Sequence, residues 1–231
     1  MESILRAKRN AAKKALEYLL EAETIGIGTG STVNELIGLM RDNRDKFKDK
    51  IYIASSYDTM IKLMNLGFKV LHPIAITNID IYIDSADEVD NNLNMIKGGG
   101  AALTLEKILA YYANKRIFII DYTKKVDWLG KKHPIPIDVI PYAASMIINK
   151  LESLGFKAEI RSIIKGKYGP VISDIGGIII DIKINKPIDI RKFNFELKSI
   201  PGVIETGLFI DLADTVIIGY EDGVGKLEAS H

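Results

Sequence analysis

Glycine and hydroxyl side chains cluster in residues 26–32, which read Gly-Ile-Gly-Thr-Gly-Ser-Thr. An apolar run precedes the cluster and a helical pattern follows it, so we predict a turn between a strand and a helix. Glycines let a backbone approach a ligand closely, and the start of a helix offers free N–H groups to an anion. We therefore predict a phosphate cradle formed by Thr29, Gly30, Ser31 and Thr32. The alternative is a tight turn whose serine only caps the helix.

Two nucleotide-binding patterns fit this turn less well. A dinucleotide fingerprint needs a third glycine where Ser31 stands, and an acidic residue at the end of the next strand. That strand ends Ala-Ser-Ser at residues 54–56. A P-loop needs a lysine before its Ser or Thr, and no lysine follows Gly30. The pattern favours a mononucleotide or a sugar phosphate over NAD or ATP.

Four carboxylates fall within residues 84–90, at the C-terminal end of the predicted strand Ile79–Asp84. The carboxyl edge of an open parallel sheet commonly carries ligand sites. Three interpretations stay open: a divalent-metal site, acid–base chemistry on a hydroxylated substrate, or a solvated acidic turn. From this segment the predicted site takes Asp84, Ser85, Ala86 and Asp87.

A lysine and three glycines precede the next helical pattern, and they predict a second anion-binding nest. Its members are Lys97, Gly98, Gly99 and Gly100. Glu106 follows on the apolar face of that helix. Burying a carboxylate is costly unless it is paired or useful, and partial desolvation makes it a better general base. The alternatives are a carboxylate at the edge of the apolar face or one paired with Lys107.

Lys124 follows a fourth apolar run, Arg116–Asp121, and is expected at the same edge of the sheet. A lone lysine at such a place is usually solvated. The three histidines lack metal-ligand spacing, and no nucleophile elbow is present.

The elements that must position these residues alternate between strand and helix from residue 4 to residue 121. This order predicts an α/β fold with a Rossmann-like, doubly wound, mainly parallel sheet. Two prolines within residues 131–136 mark a change to an inserted, smaller α+β (ferredoxin-like) domain. Within it we expect a helix, a strand over 157–164, a turn over 165–170, a second strand and a second helix. The predicted domains are 1–130 with 206–231, and 131–205; short strands at 207–210 and 215–219 return to the first sheet.

The composition is that of a globular protein. With 231 residues, 47% of them apolar and 26% charged, disorder is excluded. A net charge of +1 provides no overall field for nucleic acid or a membrane surface. The absence of cysteine excludes disulfides, thiolate metal sites and a thiol nucleophile. With no long apolar run and no signal-peptide core, we expect a soluble cytoplasmic protein.

Taken in order, these segments resemble the ribose-5-phosphate isomerase A family. The family pattern reads Gly-Thr-Gly-Ser-Thr, then Asp-Gly-Ala-Asp-Glu, then Lys-Gly-Gly-Gly with a glutamate six residues after the last glycine. Here the matching positions are 28–32, 84–88, 97–100 and Glu106. The resemblance continues almost to the end of the chain, through Asp121, Lys124, 136–141, 173–174, 201–203 and 207–209. Departures from the family pattern are Ser85 in place of glycine, Ile-Gly-Gly at 175–177 in place of Asn-Gly-Asn, and Thr206 in place of a common histidine.

The resemblance implies the isomerisation of D-ribose 5-phosphate to D-ribulose 5-phosphate in the pentose phosphate pathway, without a cofactor or a metal. It implies that Glu106 is the base and that Asp84 assists ring opening. It implies that an enediolate is stabilised by Lys97, the amides of 98–100 and a protonated Asp87. It implies a phosphate site made of Ser31, Thr32, Lys124 and Lys8. It also implies a homo-oligomer, a dimer or a tetramer, with the smaller domain in the oligomerisation role.

Other functions stay open on a related fold. They are a sugar-phosphate-binding regulator without catalysis, an amino-sugar-phosphate deaminase and a CoA transferase. A metal-dependent phosphatase is a further interpretation of the acidic segment.

Overall fold

The structure, a computed structural model, describes residues 2–162 and 168–229. The fold is mixed α/β, with a mainly parallel central sheet and two antiparallel sheets. The helices are α1 (Glu2–Tyr18), α2 (Ser31–Asp42), α3 (Tyr57–Asn65), α4 (Leu103–Tyr112), α5 (Ala144–Ser153) and α6 (Ile190–Lys198). The strands are β1 (Thr24–Ile27), β2 (Ile51–Ala54), β3 (Lys69–Val70), β4 (Ile79–Asp84), β5 (Glu88–Val89), β6 (Met95–Ile96), β7 (Ala113–Asp121), β8 (Ile135–Val139), β9 (Lys157–Ile160), β10 (Ile178–Lys183), β11 (Val203–Thr206), β12 (Leu208–Phe209), β13 (Thr215–Tyr220) and β14 (Gly223–Glu228).

A first compact unit contains residues 2–86, 106–125 and 211–229. Its seven-stranded sheet has the order β14-β13-β7-β4-β1-β2-β3 and is parallel except between β13 and β14. Most residues of the central strands are buried on both faces, which is why these strands read as continuous apolar runs. Helix α1 packs on this sheet through its buried alanines Ala7, Ala11, Ala12 and Ala15.

The parallel arrangement determines where the polar segments of the first unit lie. Strands β1, β2, β4 and β7 point in the same direction, so their carboxyl ends meet at one edge of the sheet. The segments that follow Ile27, Ala54, Asp84 and Asp121 are therefore brought to that edge.

A second compact unit contains residues 87–105 and 126–210, of which 163–167 are outside the description. It holds a four-stranded antiparallel sheet in the order β11-β8-β10-β9 and a three-stranded antiparallel sheet in the order β12-β6-β5. Helices α5 and α6 pack on the four-stranded sheet around a core rich in isoleucine. The antiparallel sheet predicted for this part of the chain is confirmed.

These units differ from the predicted division at 130 and 205, because 87–105, 126–130 and 206–210 group with the second unit. The prediction that 207–210 returns to the first sheet is wrong, since β12 pairs with β6; the segment 215–219 does join the first sheet, as β13. The strand predicted over 157–164 covers Lys157–Ile160. Its last two predicted residues, and 165–167 of the predicted turn, lie outside the described residues. Within the described chain, no helix combines the length and the apolar character needed to cross a membrane.

Candidate active site

The predicted phosphate turn and the first residue of the acidic segment lie against each other in the first unit. The N–H of Gly28 donates to the carbonyl of Ile83 at 2.8 Å, and the N–H of Thr29 donates to Oδ1 of Asp84 at 3.0 Å. A Cβ on Gly28 would lie only 1.9 Å from Cγ of Asp84, so this approach requires glycine. The turn after β1 and the carboxylate at the end of β4 therefore form one corner.

Asp84 is fully buried, and donors hold both of its carboxylate oxygens. Ser85 N–H donates to Oδ1 at 2.7 Å, and the Tyr82 hydroxyl donates to Oδ2 at 2.5 Å. Burial raises the pKa of Tyr82 well above its usual value, and the negative charges of Asp84 and Glu106 raise it further. The phenol is thus kept as a neutral hydrogen-bond donor to Asp84. Sequence reasoning missed Tyr82, although its i, i+2 spacing from Asp84 places both side chains on one face of β4.

A group of buried hydroxyls supports the other side of the turn. Thr29 Oγ1 lies 3.1 Å from Ser55 Oγ, 2.6 Å from Ser56 Oγ and 3.1 Å from Thr59 Oγ1. The Thr59 hydroxyl donates to the carbonyl of Gly28 at 2.8 Å. This group fixes the turn through the end of β2 and the start of α3. In the sequence analysis, Ser55 and Ser56 were considered only because they stand where a dinucleotide-binding pattern would have an acidic residue.

The predicted phosphate end is built from α1 and the start of α2. Helix α2 begins at Ser31 after Gly30, and the Lys8 ammonium donates to Ser31 Oγ at 2.8 Å. Thr32 is buried in the first turn of α2. Lys124 is half-buried at the end of a short 3-10 helix, Tyr122–Lys124, which follows β7. A lysine, a hydroxyl and a helix N-terminus therefore meet where an anion was predicted.

Ser85 replaces the glycine of the family pattern without opening the corner. Its hydroxyl lies 3.5 Å from the carbonyl of Thr29 and faces Gly30. A Cβ on Gly30 would lie 2.7 Å from Ser85 Oγ, so the glycine of one segment makes room for the serine of the other. Ala86, the next residue, is buried.

Glu106 lies in the first turn of α4 and is 3% exposed. On the same helix Leu109 and Ala110 are also buried. The carboxylate therefore does not lie at the exposed edge of the apolar face, which was one of the two alternatives to a general base. Its negative charge also contributes to raising the pKa of Tyr82.

In the second unit, Asp87 and the glycine segment are brought together. Gly99 N–H donates to Oδ2 of Asp87 at 2.9 Å. Lys97 is 2% exposed, and its ammonium lies 5.4 Å from the centroid of the Phe209 ring. Gly98 has φ +104°, and a Cβ there would come within 2.9 Å of Leu103 and Pro136, so glycine is required.

The other two carboxylates of the acidic segment bind the protein's own backbone. Glu88 is fully buried and accepts N–H groups from Gly130, Lys132 and His133, each at 2.6 Å. Asp90 accepts the N–H groups of residues 92 and 94. The interpretation of the segment as a solvated acidic turn is therefore wrong for Glu88 and Asp90. Across 2–162 and 168–229, no group of three or more His, Asp or Glu side chains is arranged to hold a metal ion.

Comparisons with known proteins place relatives of this chain in one family. A family model described as ribose 5-phosphate isomerase A (phosphoriboisomerase A) matches residues 51–223. The ribose-5-phosphate isomerase A of Pyrococcus horikoshii is 44% identical to this chain over 223 residues, which cover 96% of the chain and 97% of the relative. The relative of the same name from Thermococcus kodakarensis is 39% identical over 225 residues, with 96% and 97% coverage.

Solved structures give the same result. A D-ribose-5-phosphate isomerase in complex with phospho-erythronic acid superposes with a TM-score of 0.91 at 43% identity, covering 96% of this chain and 97% of that one. The ribose 5-phosphate isomerase of Plasmodium falciparum gives a TM-score of 0.90 at 32% identity, with 97% and 99% coverage.

Proposed function

The chain belongs to the ribose 5-phosphate isomerase A family, and from this membership we propose that it interconverts D-ribose 5-phosphate and D-ribulose 5-phosphate in the pentose phosphate pathway. One observation carries the proposal beyond family membership. The buried carboxylate of Asp84 binds the N–H of Thr29, in the same turn that leads to the Lys8–Ser31 contact. An acid–base group and an anion cradle therefore share one corner, as a phosphorylated sugar requires.

Glu106 is the proposed base. It takes the proton from C2 of the open-chain aldose while the electron pair of that bond forms the C1–C2 double bond and O1 becomes negative. Returning the proton to C1 gives the ketose. Support comes from the 3% exposure of Glu106, because exclusion of water strengthens a carboxylate as a base.

Asp84 is the proposed group for ring opening. It takes the proton of the anomeric hydroxyl and passes it to the ring oxygen as the bond between C1 and that oxygen breaks, so that Asp84 ends as the carboxylate with which it began. The donors from Thr29, Ser85 and Tyr82 support this role, because they fix the direction of both carboxylate oxygens.

The enediolate is stabilised, in this proposal, by Lys97 and the amides of 98–100. Asp87 gives a proton to O1 and accepts the proton of O2, so that protons balance. The burial of Lys97 supports its role, because a charge excluded from water acts more strongly on developing negative charge. The hydrogen bond from Gly99 to Asp87 supports a joint action of the two.

The phosphate is held by Ser31, Thr32, Lys8 and Lys124, and the walls beside the sugar include Thr29, Gly30, Ser85 and Ala86. The Lys8–Ser31 hydrogen bond supports this assignment, because both groups can turn their donors to a phosphate oxygen. The expectation that no cofactor and no metal takes part belongs to the same proposal.

We also propose a homo-oligomer, with the second unit in the oligomerisation role. In this unit the large apolar side chains of Tyr142, Met146 and Phe195 are 94%, 67% and 73% exposed. Large apolar side chains that lie together on a surface are typical of a contact with another protein chain, and self-association through these three would remove them from water. The expected cytoplasmic location stays a prediction.

The test of the function is ketose formation from ribose 5-phosphate by the purified protein, with and without EDTA. Turnover that EDTA leaves unchanged is the expected result. Release of inorganic phosphate, or of ammonia from glucosamine 6-phosphate, would favour the phosphatase or the deaminase. Dependence on an acyl-CoA would favour the CoA transferase. A ligand-induced rise in melting temperature without turnover would favour a binding protein.

A further inference from the structure

Arg161, which follows β9 in the second unit, bonds to the backbone of the glycine segment. Its Nη1 donates to the carbonyl of Gly98 at 2.7 Å and to that of Gly99 at 3.1 Å. Its other two nitrogens bind Asp181 of β10, with Nε at 2.8 Å and Nη2 at 2.5 Å from the carboxylate oxygens. One guanidinium therefore joins the sheet of the second unit to two consecutive peptide groups.

Because a trans peptide is planar, these contacts determine the direction of the N–H groups of Gly99 and Gly100. The carbonyl of one residue and the N–H of the next point in opposite directions. When Arg161 holds the carbonyl of Gly98, the N–H of Gly99 must point away from it, and this N–H donates to Asp87. When Arg161 holds the carbonyl of Gly99, the N–H of Gly100 is turned away from the guanidinium in the same manner.

We propose that Arg161, held by Asp181, is a positioning residue for the isomerisation: it aims the amides of Gly99 and Gly100, and through Gly99 it sets the carboxylate of Asp87. The inference rests on the proposed function, in which the glycine amides and Asp87 stabilise the enediolate, with the Gly99 amide acting through Asp87. Arg161 acts through the peptide groups, since its three guanidinium nitrogens bind Asp181 and the two glycine carbonyls.

The guanidinium also changes the strength of the donors. A carbonyl that accepts a hydrogen bond from a cation polarises its peptide group, so the N–H on the other side becomes a better donor. The Arg161 and Asp181 side chains are only 18% and 14% exposed, so water screens this effect little. The benefit is largest where negative charge develops, which is the enediolate and not the bound aldose.

Arginine suits this role better than lysine. Its planar fork can bind a carboxylate with two nitrogens and still offer a third to carbonyl oxygens. Lysine could reach the carbonyls or Asp181 but could not hold both in a fixed plane. Arg161→Lys is therefore expected to rescue only part of the loss caused by Arg161→Met.

The test compares Arg161→Met, Arg161→Lys and Asp181→Asn with the wild type. A matched control is Arg116→Met in the first unit, where a similar fork binds Asp214 and the two side chains are 25% and 17% exposed. Arg161→Met is expected to lower kcat about 10- to 100-fold while KM changes less than about threefold. Arg116→Met is expected to lower the melting temperature without lowering kcat.

A second readout separates positioning from a general structural effect. Phospho-erythronate carries a carboxylate in place of the reacting carbons, and its two oxygens imitate O1 and O2 of the enediolate. Its dissociation constant, measured by calorimetry, is expected to rise with Arg161→Met by about the factor by which kcat falls. Asp181→Asn is expected to shift both quantities in the same direction.

The inference is overturned if the folded Arg161 variants keep the wild-type kcat and the wild-type affinity for phospho-erythronate. It is also overturned if kcat falls while that affinity stays unchanged. Should Arg161→Met fail to fold by circular dichroism, Arg161→Lys and Asp181→Asn decide. A wild type that is inactive on ribose 5-phosphate would refute the proposed function; the binding measurement needs no turnover and would still decide whether Arg161 positions the amides.

Discussion

Buried carboxylates in this chain meet their need for hydrogen-bond donors in different ways. Glu88 takes three backbone N–H groups, and Asp84 takes two backbone N–H groups and a phenol. Asp138 accepts the Thr104 hydroxyl at 2.7 Å on one oxygen. Glu88 therefore relies on backbone donors, whereas Asp84 also takes a side-chain donor and lies against the turn at 28–32, where we propose an acid–base role for it.

Glu106→Gln keeps the size of the side chain and removes the base. We expect kcat to fall by at least about a thousandfold while KM stays within about threefold, because the amide cannot accept the C2 proton. The measurement is steady-state ketose formation. Exchange of the C2 hydrogen with solvent deuterium, followed by NMR, should stop in parallel. Turnover close to that of the wild type would remove Glu106 as the base.

Lys8→Ala and Lys124→Ala address the non-reacting end of the substrate. Each is expected to raise KM about tenfold with kcat within about threefold, since each removes a charge-assisted bond to the phosphate. Lys14 of the same helix as Lys8 pairs with Glu17 at 2.6 Å, so Lys14→Ala is the control and should leave KM unchanged. An unaltered KM for a variant would take that lysine out of the phosphate site.

The site elements that could be predicted from sequence are those that strand direction alone positions. The turn at 28–32, Asp84 and Lys124 each follow a strand of one parallel sheet, so their shared edge follows from topology. Gly28 is a further position at which the sequence indicates a close approach. It has no side chain, and this lets Asp84 lie against the turn.

Other features depend on contacts between residues distant in sequence. The direction of the Glu88 side chain is set by N–H groups more than forty residues away, so the four carboxylates of 84–90 could not be sorted beforehand. Arg161 lies about sixty residues from the glycines that it binds. Strand β14 was not predicted, because its alternate exposed residues give it no apolar run.

Asp138 of β8 accepts a hydrogen bond from Thr104 at the start of α4. Its pKa leads us to expect that the free energy of unfolding depends on pH. Burial raises the pKa of Asp138, while hydrogen bonds from Thr104 and Ser173 oppose the rise. A raised pKa means that the folded state binds the proton more tightly than the unfolded state. The stabilisation is complete below the unfolded pKa and is lost as the pH rises through the folded pKa.

Asp138→Asn removes this titration. The free energy of unfolding of the variant minus that of the wild type is therefore expected to increase as the pH rises from about 4 to 7. Urea unfolding at a series of pH values, at one protein concentration, measures the difference. A difference that stays flat or decreases with pH would contradict the assignment.

At the scale of the whole molecule, the exposed apolar side chains predict self-association. At a protein concentration of about 10 μM, the mass measured by sedimentation is expected to be at least twice the 25.6 kDa of one chain. Tyr142→Ser and Phe195→Ser should lower it, because they remove apolar contact area from the second unit. Ile74→Ser, at a 90% exposed position of the first unit, is the control and should not. A wild-type mass of 25.6 kDa would contradict the oligomer, and a decrease only with Ile74→Ser would move the contact to the first unit.

The chain passes between its two compact units after residues 86, 105, 125 and 210. No single stretch of the gene therefore encodes the second unit. A segment limited to 126–210 would lack β5 and β6, and its β12 would have no strand to pair with. Recombination between relatives can exchange this unit only if both of its segments are exchanged together. The larger segment must therefore be inherited with the smaller one, which carries Asp87 and Lys97, so that the two segments diverge as one.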